Sequence, residues 1–459
     1  MYDKIYQGLG QAFKTDFYEL TMSAGYFQNN VNALTTFELF IRKLPNNRSY
    51  LIFAGLEQVI EYLLNLRFTN KEISFLRKMP VFKYVKPEFF DYLKKFRFRG
   101  DLWSVPEGTI IFENEPVLRV TANIIESQIV ETFFLSVINF QTLIATKASR
   151  VVHSARGKGV ADFGTRRAHG PEAGILAARA SYIGGCLGTS NVYAGYKFNI
   201  PLYGTAAHSY TMAFDSELEA FQKYYATFPE TTLLLIDTYD IEEGVKNAIK
   251  IGKSLKGVRI DSDNIIKKSR IVRKMLDEAG LQKTKIFATG DLNEYKIDEI
   301  LKSKAPVDMF GVGTEMVTSR DDPALGGVYK LVEQITDNKV KYRAKFSLEK
   351  STYPGKKQIF RRYAKDGMIK EDLLTLANAS RLSDSEPLLK CYIKNGKLIR
   401  RLPELAQTRQ MTIKNLETLP DKYKNIYKTV PFKVKASPEL IQLFKELQRR
   451  YFNLKSLRN

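Results

Sequence analysis

The chain has 459 residues, 44% of them hydrophobic, and a formal net charge of +21 at pH 7, which is enough for a full barrel core and a second domain. The N-terminus lacks the apolar core of a signal peptide, and the two cysteines, Cys186 and Cys391, form no CxxC pair. The sequence therefore predicts a soluble protein of the reducing cytoplasm, without a zinc site or a disulfide framework.

Residues 1 to about 145 mix helix and strand patterns. Apolar residues at helical spacing predict a helix from Phe17 to Phe27, and apolar residues at alternate positions predict a half-buried strand from Thr35 to Arg42. Glycine and proline punctuation from Gly100 to Val120 predicts short antiparallel strands. The longest apolar helix candidate, Ile124 to Ala148, contains too many polar residues for a membrane span.

The middle of the chain contains seven short apolar runs that end at small or ionisable residues: GVADFGTRR, LGTSNV, PLYGTAAHS, TTLLLIDTYD, GVRIDSDN, KIFATGD and DMFGVGTEM. Such runs predict buried parallel strands. They recur at roughly 20 to 30 residues, and helical patterns such as Ile241 to Leu255 and Ile265 to Ala279 lie between them, which is typical of a β/α barrel.

Barrel active sites form where the strands end, so the residues at these ends should share one face. The ionisable residues there are Asp162, Arg166, Arg167, His208, Asp237, Arg259, Asp261 and Asp291. This set predicts an enzyme that handles an anionic compound.

After about Phe346 the pattern changes again. Residues 354–374 predict a hairpin, Asn395-Gly396 is a hairpin turn signal, and Ser437 to Leu454 is an amphipathic helix pattern. We predict an irregular, TIM-like β/α barrel over residues 146–345. The N-terminal α+β segment, 1–145, and the C-terminal segment, 346–459, should pack together as a second α+β domain.

Phosphate-binding motifs of the usual kinds are missing, since the chain has neither GxxxxGK[ST] nor a GxGxxG that opens a helix. Phosphate would have to bind at separate turns and basic side chains, such as residues 311–314 followed by Ser319-Arg320. His208 lies at a predicted strand end, and Asp237 at the next one could orient its imidazole as a base or nucleophile. A single histidine is also often only a hydrogen-bonded structural residue.

Ten segments carry a family resemblance in order along nearly the whole chain: TDFYELTM, FELFIRKLP, DFGTRRAHGPEA, GTSNVYAG, GTAAHSY, LLLIDTYD, VRIDSDN, ATGDLNEY, FGVGTEMVTSRDDPALGGVYKL and YPGKKQ. Together they resemble nicotinate phosphoribosyltransferase. The resemblance implies transfer of a phosphoribosyl group from 5-phosphoribosyl 1-diphosphate to nicotinate, which yields nicotinate mononucleotide for NAD synthesis. It also implies coupling to ATP hydrolysis, a ligase-type reaction, through a phosphohistidine at His208 that Asp237 would hold.

The same resemblance implies where nicotinate binds. The pyridine ring would lie between Phe163 and Tyr18, with Tyr18 donated by the neighbouring subunit of a homodimer. Thr205 and Arg259 would contact nicotinate. These roles agree with the chemistry, because a flat aromatic acid requires an aromatic face and a guanidinium fork.

Ribose and phosphate contacts are implied in the same way. Arg166 would hold a phosphate, and Asp261 and Asp291 would hold the ribose or its Mg²⁺. The remaining implied contacts, to the ribose phosphate and to the diphosphate or ATP phosphates across the interface, are Gly290, Gly311, Gly313, Thr314, Arg320 and Lys330. Carboxylates suit the cationic ribose of glycosyl transfer, and cations suit the departing diphosphate.

Three alternatives remain at this point. Nicotinamide phosphoribosyltransferase carries an aspartate where this chain has Ser190, and the uncharged Ser190 favours the acid over the amide. Quinolinate phosphoribosyltransferase is shorter and lacks the histidine motif. A nucleic-acid-binding barrel would explain the positive charge, but the basic residues are spread along the chain, which is more typical of a solvated surface.

Overall fold

The computed structural model describes residues 11–347, 350–379 and 383–456, with side chains as far as Phe452. The N-terminal elements are α1 Phe17–Gln28, β1 Leu34–Ile41, β2 Leu51–Ile52, α2 Leu56–Asn65, α3 Asn70–Lys78, α4 Pro87–Lys94, β3 Asp101–Ser104, β4 Ile110–Ile111, β5 Pro116–Asn123, α5 Ile124–Ile129 and α6 Glu131–Ser154. Short 3-10 helices occupy Gln11–Phe13, Pro80–Phe82 and Thr165–Arg167.

The middle segment alternates strands with helices. Its elements are β6 Gly159–Asp162, α7 Pro171–Ile183, β7 Gly188–Thr189, α8 Val192–Phe198, α9 His208–Met212, α10 Glu217–Thr227, β8 Leu233–Leu235, α11 Ile241–Ile249, β9 Gly257–Ile260, α12 Ile265–Glu278, β10 Lys285–Ala288, α13 Glu294–Lys302, β11 Met309–Val312 and α14 Thr314–Val317. The strands pair in parallel in the order β7-β6-β11-β10-β9-β8.

Six of the seven predicted runs are therefore strands of one parallel sheet. The seventh, PLYGTAAHS, contributes an isolated bridge between Leu202 and Thr189 at the edge next to β7. This is the irregular β/α barrel that the sequence predicts. Its two buried apolar clusters include Val160, Phe310 and Val312 in one, and Val258 and Ile260 in the other.

The rest of the chain forms β12 Gly327–Thr336, β13 Lys339–Tyr342, β14 Lys357–Tyr363, β15 Ile369–Leu376, β16 Ser385–Pro387, β17 Lys390–Lys394, β18 Lys397–Leu398, α15 Leu405–Thr418, α16 Asp421–Lys424, β19 Val434–Ala436 and α17 Pro438–Ser456. Both predicted hairpins are present, as β14–β15 and β17–β18. Asn395 and Gly396, with φ of 49° and 73°, adopt the left-handed conformation that a two-residue hairpin turn requires.

A seven-stranded sheet, ordered β13-β12-β1-β5-β3-β17-β18, joins the two ends of the chain. In it, β17 pairs antiparallel with β3 and so connects the C-terminal segment to the N-terminal one. The second α+β domain is thus built from both ends. The boundaries at residues 145 and 345 stay predictions, and β12 and β13, within 146–345, extend this sheet by pairing of β12 with β1.

Two local expectations need correction. Strand β1 is not half-buried, because every residue of it after Leu34 is buried. Even Glu38 lies inside, where it pairs with Lys357. The long apolar helix divides at Val130 into α5 and α6. By length and composition alone, Ile124–Ser154 could cross a membrane, but 61% of its most apolar window is buried inside the protein, as in a core helix.

Candidate active site

A cavity of about 350 Å³, the size of a small-molecule site, opens at the carboxyl ends of the parallel strands. It is lined by Phe163, Thr165, Arg166, Ser190, Gly204, Thr205, Ala207, His208, Leu235, Arg259 and Asp261. These residues lie at or just after the ends of β6, β7, β8 and β9, or in the segment 204–208 that leads into α9. The structure thus brings seven of the predicted site residues together: Phe163, Arg166, Ser190, Thr205, His208, Arg259 and Asp261.

Arg259, near the end of β9, is held on three sides. Its Nε donates to Thr289 Oγ1 at 2.9 Å, Nη1 donates to Thr205 Oγ1 at 2.7 Å, and Nη2 donates to Asp261 Oδ2 at 2.7 Å. A guanidinium has five N–H groups. One N–H on each terminal nitrogen therefore has no partner among the described residues and is available to a ligand in the cavity.

Asp261 is fixed at both oxygens. Oδ2 accepts from Arg259, and Oδ1 accepts from the Thr289 hydroxyl at 2.5 Å. Its backbone N–H donates to Asp237 Oδ2 at 2.8 Å. The carboxylate therefore keeps the Arg259 guanidinium in place and carries a negative charge into the cavity.

His208, the first residue of α9, lies beside this pair. Its Nδ1 is 3.2 Å from Thr238 Oγ1, and its Nε2 is 3.9 Å from Asp261 Oδ2. The predicted contact with Asp237 is thus replaced, because Asp237 points to the Asp261 backbone instead. The His208 side chain is 41% exposed, so a phosphate donor can reach it from solvent.

Phe163 provides the aromatic face of the cavity. The Arg259 guanidinium carbon lies 6.0 Å from its ring centroid, and Phe287 packs against it edge-on at 5.5 Å. Gly311 of β11 lies directly behind the ring, where a Cβ would be 2.9 Å from Phe163 Cδ2 and 2.7 Å from Thr289 Cγ2. The close packing of Phe163 and Thr289 therefore accounts for a glycine at position 311, whether or not this turn binds phosphate.

Asp162, another acidic residue at a strand end, points away from the cavity. It is buried, and it accepts from the Gly164 backbone N–H at 2.9 Å and from the Thr189 hydroxyl at 2.7 Å. Burial raises the pKa of its carboxyl. Asp162 thus shapes the turn that presents Phe163.

The remaining predicted residues do not line this cavity. Gly290 and Asp291 form an exposed turn with φ of 100° and 44°, and Gly290 borders a separate cavity of about 240 Å³. Arg320 pairs with Glu315 on the surface at 3.2 Å. The others are Tyr18, which is 47% exposed on α1, Asp237, Gly311, Gly313 and Thr314 around β8 and β11, and Lys330 on β12.

Two threonines were missed by the sequence interpretation. Thr289, which follows β10 in the segment ATGD, holds both Arg259 and Asp261, and Thr238, in IDTYD, contacts His208. Thr238 directly follows Asp237, and Thr289 lies two residues before Asp291; both aspartates were predicted site residues at strand ends. A hydroxyl at such a position is a usable signal for a hydrogen-bonded support.

Three family models match the chain. The nicotinate phosphoribosyltransferase (NAPRTase) N-terminal domain matches residues 13–139, its C-terminal domain matches 379–444, and the quinolinate phosphoribosyl transferase C-terminal domain matches 144–321. The last match covers the parallel-stranded segment.

Several known proteins are similar over most of the chain. A nicotinate phosphoribosyltransferase of Mycobacterium tuberculosis is 42% identical over 432 residues, which covers 93% of this chain and 91% of that protein. The Bacillus subtilis enzyme of the same name is 37% identical, covering 93% and 92%. The crystal structure of human nicotinic acid phosphoribosyltransferase superposes with a TM-score of 0.84 at 26% identity, covering 94% and 99%.

Proposed function

Since the chain belongs to the nicotinate phosphoribosyltransferase family, we propose that it transfers the phosphoribosyl group of 5-phosphoribosyl 1-diphosphate to nicotinate. The products are nicotinate mononucleotide and diphosphate, in NAD synthesis. The ring nitrogen of nicotinate attacks the anomeric carbon of the ribose, and the bond from that carbon to the diphosphate oxygen breaks.

The observation that supports this best is Arg259 in its cavity. Its two unpartnered N–H groups can donate to the nicotinate carboxylate, and the pyridine ring can then lie along Phe163. Ser190 at the rim carries no charge that would repel an acid. Nicotinamide is neutral, and its carboxamide offers one acceptor oxygen while its NH2 group would face the second Arg259 donor, so the amide is not favoured.

Charges at the cavity suit the transition state of transfer. The ribose gains cationic character as the diphosphate leaves, and the Asp261 carboxylate lies where it can stabilise that charge. Arg166 at the rim can hold a phosphate of the substrate. Gly290, Gly313 and Thr314 would contact the ribose phosphate, and Arg320 and Lys330 would contact the diphosphate or ATP from across a subunit interface.

Mg²⁺ belongs to this proposal as a substrate-bound ion. Within residues 11–347, 350–379 and 383–456, no group of three or more His, Cys, Asp or Glu residues could hold a metal. Mg²⁺ usually binds one or two carboxylates together with substrate phosphates, so Asp261 and the exposed Asp291 fit it in that form. When bound, the ion would neutralise charge on the departing diphosphate.

ATP coupling through His208 is the second part of the proposal. If Nδ1–H donates to Thr238 Oγ1, the lone pair of Nε2 is free to attack the γ-phosphorus of ATP, and ADP leaves. Water later removes the phosphate as inorganic phosphate. The phosphorylated state would bind both substrates more tightly, so that ATP hydrolysis drives transfer without giving atoms to the product.

The proposed assembly is a cytoplasmic homodimer with shared sites. Tyr18 is exposed on α1 and does not line the cavity of its own chain, as a residue given to a partner should be. Scattering that finds a fully active monomer at assay concentration would remove Tyr18 from the site.

A steady-state assay tests the function. Wild-type protein is supplied with 5-phosphoribosyl 1-diphosphate and either nicotinate, nicotinamide or quinolinate, with and without ATP. We expect nicotinate alone to be converted efficiently, with stimulation by ATP. Conversion of nicotinamide or quinolinate in preference to nicotinate would contradict the proposal.

Labelling with γ-labelled ATP tests the coupling separately. Wild type should acquire label that is labile in acid and stable in base, and His208→Asn should not. Label retained in His208→Asn would show that another residue accepts the phosphate.

A further inference from the structure

A cluster of buried charges joins four parts of the chain behind the strand ends. It consists of Arg48, Lys147, Arg150, Glu294 and Asp321. Four of these side chains are at most 1% exposed, and Asp321 is 19% exposed. Burial of so many charges is costly unless each finds a partner, so the arrangement calls for a reason other than stability.

Lys147 on α6 is the centre of the cluster. Its Nζ lies 2.7 Å from Glu294 Oε2 and 2.9 Å from Asp321 Oδ1. Arg150, one turn further along α6, donates from Nε to Glu294 Oε1 at 3.0 Å. One rigid helix thus holds two carboxylates from different segments.

Both carboxylates belong to segments of the proposed site. Glu294 begins α13, three residues after the Gly290-Asp291 turn. Asp321 directly follows Arg320. Lys147 therefore fixes the distance between the turn after β10 and the segment after β11.

Arg48 holds the Arg320 segment from the other side. Its Nη2 donates to Ser319 Oγ at 2.6 Å and lies 3.4 Å from Asp321 Oδ1. Ser319 is fully buried with a left-handed φ of 44°. The residues before and after Arg320 are thus anchored, while the side chain of Arg320 is 69% exposed.

We propose that Ser319 and Asp321, held by Arg48 and Lys147, are positioning residues that aim Arg320 at the diphosphate of the substrate. This inference rests on the proposed function, because it requires that Arg320 contact a substrate phosphate. The anchored backbone removes freedom from Arg320 before the substrate arrives, which lowers the entropic cost of binding.

A double-mutant cycle on the full-length protein tests the proposal. Arg320→Ala, Asp321→Asn and their combination are compared for KM and kcat with 5-phosphoribosyl 1-diphosphate. Asp321→Asn should raise this KM roughly tenfold or more, since small misplacements of a binding group have effects of that size. In the Arg320→Ala background the same substitution should change KM no further, because it acts only through Arg320.

A second variant covers the case in which Asp321→Asn does not fold. Ser319→Ala removes the hydroxyl that accepts from Arg48 and donates to the Asp322 carbonyl, and the same non-additivity with Arg320→Ala is expected. The matched control is Asp372→Asn, which breaks the buried Arg361–Asp372 pair, with its 2.6 Å contact, in the β14–β15 hairpin. It should lower the melting temperature and leave KM unchanged.

Three results would overturn the proposal. The effects of Asp321→Asn and Arg320→Ala could multiply, Asp321→Asn could leave KM unchanged, or Arg320→Ala itself could have no effect. In each of these cases wild-type conversion of nicotinate would leave the proposed function standing. If the wild-type protein did not convert nicotinate, both the proposed function and this inference would be wrong.

Discussion

Arg259 in the barrel cavity and Lys357, which joins β14 to β1, are both largely shielded from water, but their polar contacts differ. Lys357 on β14 forms an ion pair with Glu38 Oε2 at 2.7 Å, and its Nζ donates to the carbonyls of Tyr353 and Gly355 at 2.9 Å. Arg259 in the cavity uses three of its five N–H groups.

This difference separates structural charges from charges that await a ligand. A donor shielded from water is costly without a partner, and the Arg259 side chain, 12% exposed and lining the cavity, can pair its remaining donors with a ligand there. The contacts of Lys357 with Glu38, Tyr353 and Gly355 join β1 to the C-terminal segment. The two N–H groups that Arg259 leaves without a partner among the described residues suit the anion that we propose it binds.

The largest expected effect comes from breaking the satisfied pair. Glu38→Gln leaves Lys357 buried beside a neutral amide, and loss of one partner of a buried pair costs about 3 to 5 kcal/mol. Denaturant unfolding should show this loss, while kcat/KM of the folded enzyme stays unchanged. As a control, Glu243→Gln breaks the exposed pair with Lys246 and should leave the unfolding midpoint almost unchanged, because solvent screens such a pair. Equal effects of the two substitutions would contradict the comparison.

Thr238→Val is expected to have the next largest effect, at the cavity. It keeps the shape of the side chain but removes the hydroxyl that lies 3.2 Å from His208 Nδ1. ATP-dependent stimulation should fall roughly 10- to 100-fold, as for loss of other partners that orient a histidine. Asp237→Asn should act less on this step, because Asp237 contacts the Asp261 backbone. If Asp237→Asn lowered ATP-dependent stimulation more than Thr238→Val did, Asp237 and not Thr238 would be the residue that orients His208.

Ser190→Asp should have a smaller effect at the cavity rim. A carboxylate there repels that of nicotinate by about 1 kcal/mol, so KM for nicotinate should rise several-fold. Ser190→Asn, which adds similar bulk without charge, is the control in the same steady-state assay. An equal rise in both variants would show that size, not charge, matters at this position.

Glu19 on α1 is a third case, because its carboxyl is buried in the N-terminal part of the chain but only one of its two oxygens has a hydrogen-bond partner. Gln128 donates to its Oε2 at 2.7 Å, while its Oε1 finds no hydrogen-bond partner in the part of the chain that is described. Burial raises the pKa of Glu19 from 4.5 to about 7, and the nearby Glu131 and Asp16 add to this. The folded protein therefore binds more protons than the unfolded chain between these two values.

It follows that Glu19 lowers stability as pH rises from about 4.5 to about 7. Glu19→Gln should remove that decline and stabilise the protein above pH 7 by on the order of 1 kcal/mol. The difference in melting temperature between wild type and Glu19→Gln, compared at pH 5 and at pH 8, measures this effect. A constant difference between the two proteins across that range would show that Glu19 does not titrate there.

Local patterns in the sequence predicted much of the fold. Apolar runs with glycine or aspartate at their ends identified six strands of the parallel sheet, and Asn395-Gly396 identified a hairpin, because these signals depend on neighbouring residues alone. The burial of β1 was mispredicted because its cause is distant. Glu38 is neutralised by a lysine 319 residues away, and β12 covers its edge.

The candidate site shows the same limit. Phe163, His208 and Arg259 could be placed at one end of the barrel because parallel strands end together. Which carboxylate or hydroxyl touches which cation depends on side-chain geometry, so Thr238 in place of Asp237 could not be foreseen. The cluster around Lys147 was missed because its members are far apart in sequence, and although Glu294 and Asp321 lie in two of the quoted segments, nothing local shows that they meet on α6.

The most direct test of the central claim compares two ligands in one variant. If Arg259 binds the carboxylate, Arg259→Ala should raise KM for nicotinate roughly tenfold or more, since a charge-assisted contact contributes about 1.5 to 3 kcal/mol. The competitive inhibition constant of nicotinamide should rise much less, because its neutral carboxamide forms no ion pair with Arg259. A parallel rise in both constants, or no change in either, would show that Arg259 does not recognise the acid.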